Sequence, residues 1–296
     1  MTAVCGRLLR SVVRQPAVLI RNVVAAGFVF AVVSTALKTV EQSAIGLKSA
    51  AVIFPMAALL AVSGVSQAGL VAEDIQQGFF DRLVLSSSRR LPVMLGCMLA
   101  DLILGAVASL PLIVLGLADG VKFRSGIGGV AVVVVLAGTW AAAYGGLWYA
   151  VAFRTADPGK ARWGYGVFFP LVLFAPALAP RDAMSGWVAE AFAFNPVTYV
   201  IDGIRTLQFD GWSGSSLVKA AAAVVGIAIV ALVVAWAGFR ARLRHTMGGE
   251  DQAKPAKPTV AQAEAAMSET QMLREALEAE RQARIRAEEK LAGGGG

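Results

Sequence analysis

The stretch LVKAAAAVVGIAIVALVVAWAGF, residues 217–239, decides the fold class. It carries one charge, Lys219, and then small and branched apolar side chains up to Arg240, Arg242 and Arg244. A helix of about 20 apolar residues crosses about 30 Å of hydrocarbon, so this run is long enough to span a bilayer. Further apolar blocks precede it at 17–37, 49–70, 92–117, 126–153 and 164–179. The last of these is short and contains Pro170 and Pro176, with Pro180 just beyond. Composition agrees: 57% of the 296 residues are hydrophobic, 16% are charged, and the mean hydropathy is +0.65. A water-soluble chain of this length carries far more polar surface. The expected fold is an all-α integral membrane protein with six transmembrane helices.

Orientation follows from where Lys and Arg fall between the blocks. One side receives Arg7, Arg10, Arg14 and Arg21, then Arg82, Arg89 and Arg90, then Arg154, Lys160 and Arg162, then Arg240, Arg242 and Arg244. The other receives fewer: Lys38, Lys48, Lys122, Arg124, Arg181, Arg205 and Lys219. The first side is expected to be the cytoplasm, with both termini there. At 100° per residue the arginines at 7, 10, 14 and 21 form one stripe, and Val4, Cys5, Leu8, Leu9, Val12 and Val13 fill the other face. Residues 1–16 therefore read as an amphipathic helix in the interface ahead of Pro16, or as a basic flank anchoring the first span.

Several function classes lack their residues. The net charge of +7 sits at the ends of apolar blocks, where lipid headgroups account for it, so nucleic acid is not the expected partner. Cys5 and Cys97 form no CxxC pair, and His245 is the sole histidine. A His/Cys metal site lacks ligands, and a Ser-His dyad inside the membrane lacks its base. No cleavable leader is expected, because no small-residue cleavage site precedes the next spans.

Two polar segments and one buried charge stand out. Residues 72–91, AEDIQQGFFDRLVLSSSRRL, interleave Glu73, Asp74, Asp81, Arg82, Arg89 and Arg90 with Phe79, Phe80, Leu83 and Leu85. A short helix of that composition offers a soluble partner both charge and an apolar anchor; a solvated connector is the alternative. Residues 180–216, PRDAMSGWVAEAFAFNPVTYVIDGIRTLQFDGWSGSS, carry an aromatic belt, a turn signal at Asn195-Pro196, and apolar residues at helical spacing from Val197. They read as two short re-entrant helices before the last span. A seventh span here would bury Glu190, Asn195, Asp202 and Arg205 in lipid. Asp101 lies inside the third block, where an ionisable group either lines a path or fixes a helix contact through an arginine, unless the loop helix extends upward and leaves it near the interface.

The membrane domain is expected to cover 17–247. Residues 248–260 read as a Pro-containing linker and 261–292 as a cytoplasmic helix rich in Ala, Glu, Arg and Gln, with Gly linker at 293–296. Leu273, Leu277, Ile285 and Leu291 make a seam broken by Glu280 and Arg284, so a coiled coil and a solvated single helix both fit.

Across about residues 1–245 the chain resembles an ABC type-2 permease, the membrane subunit of an exporter, of the daunorubicin-resistance type. EDIQQGFFDRLVLSSSRR leading into MLGCMLAD is similar to that family's acidic-Gly-Asp-Arg loop with its downstream Arg and Ala-Asp. FNPVTYVIDGIRTL is similar to its Asn-Pro-x-Thr-x-x-x-Asp-x-x-Arg pattern. Ser86, Ser87 and Ser88 stand where the family more often has a proline. The resemblance implies two permease chains, as a homodimer or with a related chain, working with two ABC ATPase subunits. Glu73, Asp74, Gly78, Phe79, Asp81 and Arg82 would form the coupling helix. Asn195, Pro196, Tyr199, Asp202 and Arg205 would shape an external gate, and Asp101 is a further intramembrane candidate. This chain has no GxxxxGK[ST] phosphate loop, so ATP and Mg would sit on the partner ATPase and no cofactor on this chain.

The expected substrate is hydrophobic or lipid-like, either a drug or antibiotic, or a lipid-linked glycan or envelope lipid. An ion-gradient transporter would need acids near the midplane, and Asp101 is the candidate. An intramembrane enzyme lacks a buried carboxylate pair. The excess of Arg over Lys, with abundant Ala and Val, suggests a GC-rich bacterium and its plasma membrane.

Overall fold

The computed structural model describes residues 2–14, 16–44, 49–78, 91–173, 175 and 187–247. Every regular element among these is helical: α1 Thr2–Arg14, α2 Ala17–Ala44, α3 Ser49–Ser63, α4 Ala68–Gln76, α5 Leu91–Ala118, α6 Gly126–Thr155, α7 Pro158–Ala161, α8 Gly164–Leu173, α9 Trp187–Phe194, α10 Pro196–Phe209 and α11 Gly214–Met247. Among the described residues, five stretches are long and apolar enough to cross a membrane: Leu19–Lys38, Ala50–Gln76, Pro92–Ala118, Gly126–Thr155 and Gly214–Arg242. The chain is thus a multi-pass membrane protein. Of the short block at 164–179, α8 covers ten residues, about 15 Å of rise, and most of the remainder lies outside the described residues. Residues 1–244 form one compact unit and His245–Gly296 another. The linker and helix expected at 248–292, and the glycines after them, lie outside the described residues.

α3 is the axle of the bundle, packing against α2, α5, α6, α8 and α10. Its side chains from Ile53 to Val62 are almost wholly buried, and all of them are apolar. α5 and α6 form the most extensive helix pair, and they meet through missing side chains. A Cβ on Gly138 would lie 2.7 Å from the Leu102 carbonyl, and one on Gly105 would lie 2.4 Å from the Ala141 methyl. Lipid tails are as apolar as leucine, so close backbone approach and its dispersion energy replace the hydrophobic effect between membrane helices. α11 docks by the same device: Gly146 faces Ala231, Gly203 faces Ala220, and Gly238 faces the Ala150 carbonyl.

The turn from α6 to α8 sits at the arginine-rich end of the bundle. Ala156 closes α6 in the left-handed region, at φ 49, and returns its N–H to the Ala152 carbonyl. Asp157 then caps α7 ahead of Pro158, accepting from the Lys160 N–H at 3.2 Å. That backbone N–H holds the exposed Asp157 carboxyl below the ordinary carboxylate range. α8 is fixed on α6 by aromatic rungs. Trp140 and Tyr144 stack at 5.9 Å, Phe168 packs edge-on against Tyr144 at 5.4 Å, and the Tyr144 hydroxyl donates to the Gly164 carbonyl at 2.6 Å. At the far end, the Arg124 N–H donates to Gln208 O, and the Ser125 N–H and hydroxyl both donate to Leu207 O, tying the α5–α6 turn to the end of α10.

The glycine contacts predict an asymmetry between two identical substitutions. Gly105→Ala forces α5 and α6 apart and should cost about 1–3 kcal/mol, the usual toll of overpacking. Gly226→Ala adds a methyl with nothing within 4 Å and should leave the thermal melt in detergent unchanged or raised. Equal melting temperatures for the two variants would refute close packing of α5 on α6.

Candidate functional site

Span two is broken, and the break builds the site. α3 ends at Ser63, and a new helix, α4, begins at Ala68. A break at membrane depth frees backbone polar groups that lipid cannot satisfy, so protein must. Here several of these groups find a neighbour. The Asn22 amide donates to the Gly64 carbonyl at 2.6 Å, and the Gln67 amide donates to Val65 O at 2.6 Å. The Ser66 hydroxyl accepts from the Ala68 N–H at 3.3 Å, and Asp101 Oδ1 accepts from the Gln67 N–H at 3.1 Å.

Asp101 is fully buried in the third span, and among the described residues it forms no ion pair with an arginine. Its bonded partner is the backbone that opens α4, where the positive end of the helix favours a carboxylate. Its other oxygen occupies a notch in α6 left by Gly145, where any Cβ would lie 2.2 Å from Oδ2 and 3.1 Å from the Ser66 hydroxyl. Three spans therefore meet at one carboxyl group.

The other end of α4 is held by ion pairs. Arg7 on α1 donates through two guanidinium nitrogens to both oxygens of Asp74, with Nη2 to Oδ1 at 2.7 Å. Such a two-pronged pair fixes orientation as well as charge. Arg162, between α7 and α8, pairs with Glu73. Its side chain crosses the bare Cα of Gly69, where a Cβ would sit 2.7 Å from Arg162 Cγ and Nε. Gly78, at φ +69, then ends the helix and returns its N–H to Ile75 O at 3.1 Å. Glu73, Asp74 and Gly78 of the expected coupling segment thus lie on or just after α4, which continues the second span to Gln76. Phe79, Asp81 and Arg82 lie outside the described residues.

The motif ahead of the last span forms the two short helices α9 and α10. Asn195 caps α10 by accepting from the Val197 N–H at 3.0 Å, and it donates to Leu171 O of α8 at 2.7 Å. Pro196 occupies the first helical position, and the Tyr199 hydroxyl donates to Ala193 O at 2.8 Å. Arg205 reaches across to α3 and donates to Val52 O at 3.2 Å, with Asp202 one turn before it on α10. Asn195, Tyr199 and Arg205 thus join α10 to α8, α9 and α3 at the far end.

Sequence reading missed Gly69, Gly145, Ser66 and Gln67; it read Arg7 as part of the basic stripe of an interfacial helix and Arg162 as topological charge. No local pattern marks most of them, because the contacts that matter are distant in the sequence: Gln67 meets Asp101 34 positions on, and Glu73 meets Arg162 89 positions on.

Broken and glycine-packed spans, polar helix ends tied across the bundle, and short helices before the last span describe an all-helical multi-pass membrane domain. A family model described as ABC-2 type transporter matches residues 1–209, ending with the last residue of α10. The chain belongs to the ABC-2 type transporter family, as the membrane permease part of an exporter. No curated protein and no solved structure matches it.

The Asp101 geometry yields a graded expectation. Asp101→Ala strands a buried N–H and should cost about 1–3 kcal/mol, whereas Asp101→Asn keeps an acceptor oxygen and should cost less than half as much. Thermal melts in detergent measure both, and equal losses would remove the hydrogen bond as the reason for Asp101.

Proposed function

We propose that this chain is the permease subunit of an ATP-driven exporter whose ATP and Mg are bound by separate ABC ATPase subunits. The observation that carries the reading is the construction of α4. It is the short continuation of span two beyond a break, pinned by Asp101 at its start and by Arg7 and Arg162 near its end. It leads directly into the charged, phenylalanine-bearing segment at 79–90. Such a segment suits a lever: an ATPase that grips Phe79, Asp81 and Arg82 turns α4 about the Gly64–Gln67 break, and Glu73 and Asp74 pass the motion to α7–α8 and α1. The arginine-rich end is then cytoplasmic, as are both termini, and the membrane is the bacterial plasma membrane.

Export of a hydrophobic drug or antibiotic in the daunorubicin-resistance manner fits the apolar bundle, and a lipid-linked glycan or envelope lipid is the alternative cargo. Asn195, Pro196, Tyr199, Asp202 and Arg205 would serve as the external gate, since Asn195, Tyr199 and Arg205 brace α10 against α8, α9 and α3. A second permease copy or a related chain completes the pore. Gradient-driven transport through Asp101 is the weaker reading, because that carboxyl already serves a structural break.

The test is purification of the tagged chain from its own host in mild detergent. An ATPase with a phosphate loop should accompany wild type and be lost on Asp81→Arg or Arg82→Glu, with the permease still monodisperse. Retention of the ATPase by both variants would sink the docking assignment. Transport that ignores ATP and collapses with a protonophore would sink the exporter reading itself.

A further inference from the structure

A cavity of about 760 Å³ opens at the arginine-rich end, between α1, α2, the break in span two, α4, and the α6-to-α8 turn. That volume lies within the range of small-molecule sites. Its walls differ in character. The inner wall is polar, with Ser63, Ser66, Gln67 and Asn22 gathered by the break. Val12, Ala25, Leu70, Trp148 and Trp163 make the apolar part.

Three charges face it: Arg21, Arg162 and Glu73. Glu73 is engaged by Arg162, and among the described residues Arg21 has no ion-pair partner, so the cavity keeps one uncompensated guanidinium. Arg21 also stands at the foot of an apolar track. Val24, Phe28 and Val32 follow it on α2 at spacings of three, seven and eleven, and each is about half exposed or more. A cation beneath an exposed apolar stripe has the layout of a headgroup site with room for an acyl chain above it. Trp163, 69% exposed at the mouth, supplies the aromatic side chain that favours the membrane interface.

We infer that this cavity binds the phosphate-bearing headgroup of an amphiphile, with Arg21 as the primary phosphate contact and Arg162 as the second. The phosphate would compete with Glu73 for Arg162. Occupancy would thereby loosen one of the two ion pairs that hold the end of α4. The binding is independent of any ATPase; only this consequence for coupling rests on the exporter reading.

The experiment uses the purified full-length chain in mild detergent and reads quenching of Trp163, taken as the emission difference between wild type and Trp163→Phe. It is titrated with dibrominated phosphatidic acid, with dibrominated diacylglycerol, and with phosphatidic acid in the presence of inorganic phosphate. Phosphatidic acid should quench Trp163 saturably. Its affinity should fall about tenfold in Arg21→Gln, the usual worth of one charge-assisted hydrogen bond. Ala25→Phe, which fills the cavity while leaving both arginines, should abolish saturable quenching without shifting the elution volume. Equal quenching by diacylglycerol, or an unchanged affinity in Arg21→Gln, would overturn the inference. Displacement of the lipid by millimolar inorganic phosphate would keep the phosphate site but assign it to a soluble phosphate compound rather than a lipid.

Discussion

Between Ser63 and Ala68 the second span gives up its helical hydrogen bonds beside a cavity that opens at the arginine-rich end. An unpaired backbone group there costs as much as several good contacts contribute, so the break exists only because Asn22, Ser66, Gln67 and Asp101 supply partners. Asn22 and Asp101 come from other spans, and Asp101 occupies the positive end of α4. From this one accommodation follow the independent short helix α4, the polar wall of the cavity, and the need for a glycine at 145.

The rest of the packing serves the same end by opposite means. Where the break needs polar partners, the helix contacts around it need the absence of side chains. Gly105, Gly138 and Gly146 let α5, α6 and α11 approach until backbone meets methyl or carbonyl. The result is a rigid frame of long spans with a short, ion-paired segment set into its arginine-rich end. Rigid neighbours are what allow a small displacement of α4 to be passed on rather than absorbed.

Much of the architecture was legible beforehand. Uninterrupted apolar length marks a span whatever it packs against, so the long blocks were found with boundaries close to those of the helices. Asn195-Pro196 announced α10, because a capping side chain followed by proline acts locally. The reading lost ground where the physics was not local. It started the polar loop at Ala72, but the helix runs on to Gln76, because Glu73 and Asp74 are neutralised by arginines from distant segments. For Asp101 it weighed a place on the path, a helix contact through an arginine, or a position near the interface; a backbone N–H released by a break that apolar length conceals was not among the partners it named.

The amino-acid sequence by itself determined a multi-pass helical membrane protein, the end of the bundle that carries positive charge, and membership of a transporter family through motifs that span few residues. These depend on hydrophobic length, charge placement and capping, which each segment carries alone. Only the tertiary structure decided where span two breaks, which arginines hold α4, what Asp101 bonds, and that a cavity lies beside them. Each of those is a contact between segments far apart in the chain, and its energy is defined only once the helices that contribute to it are packed.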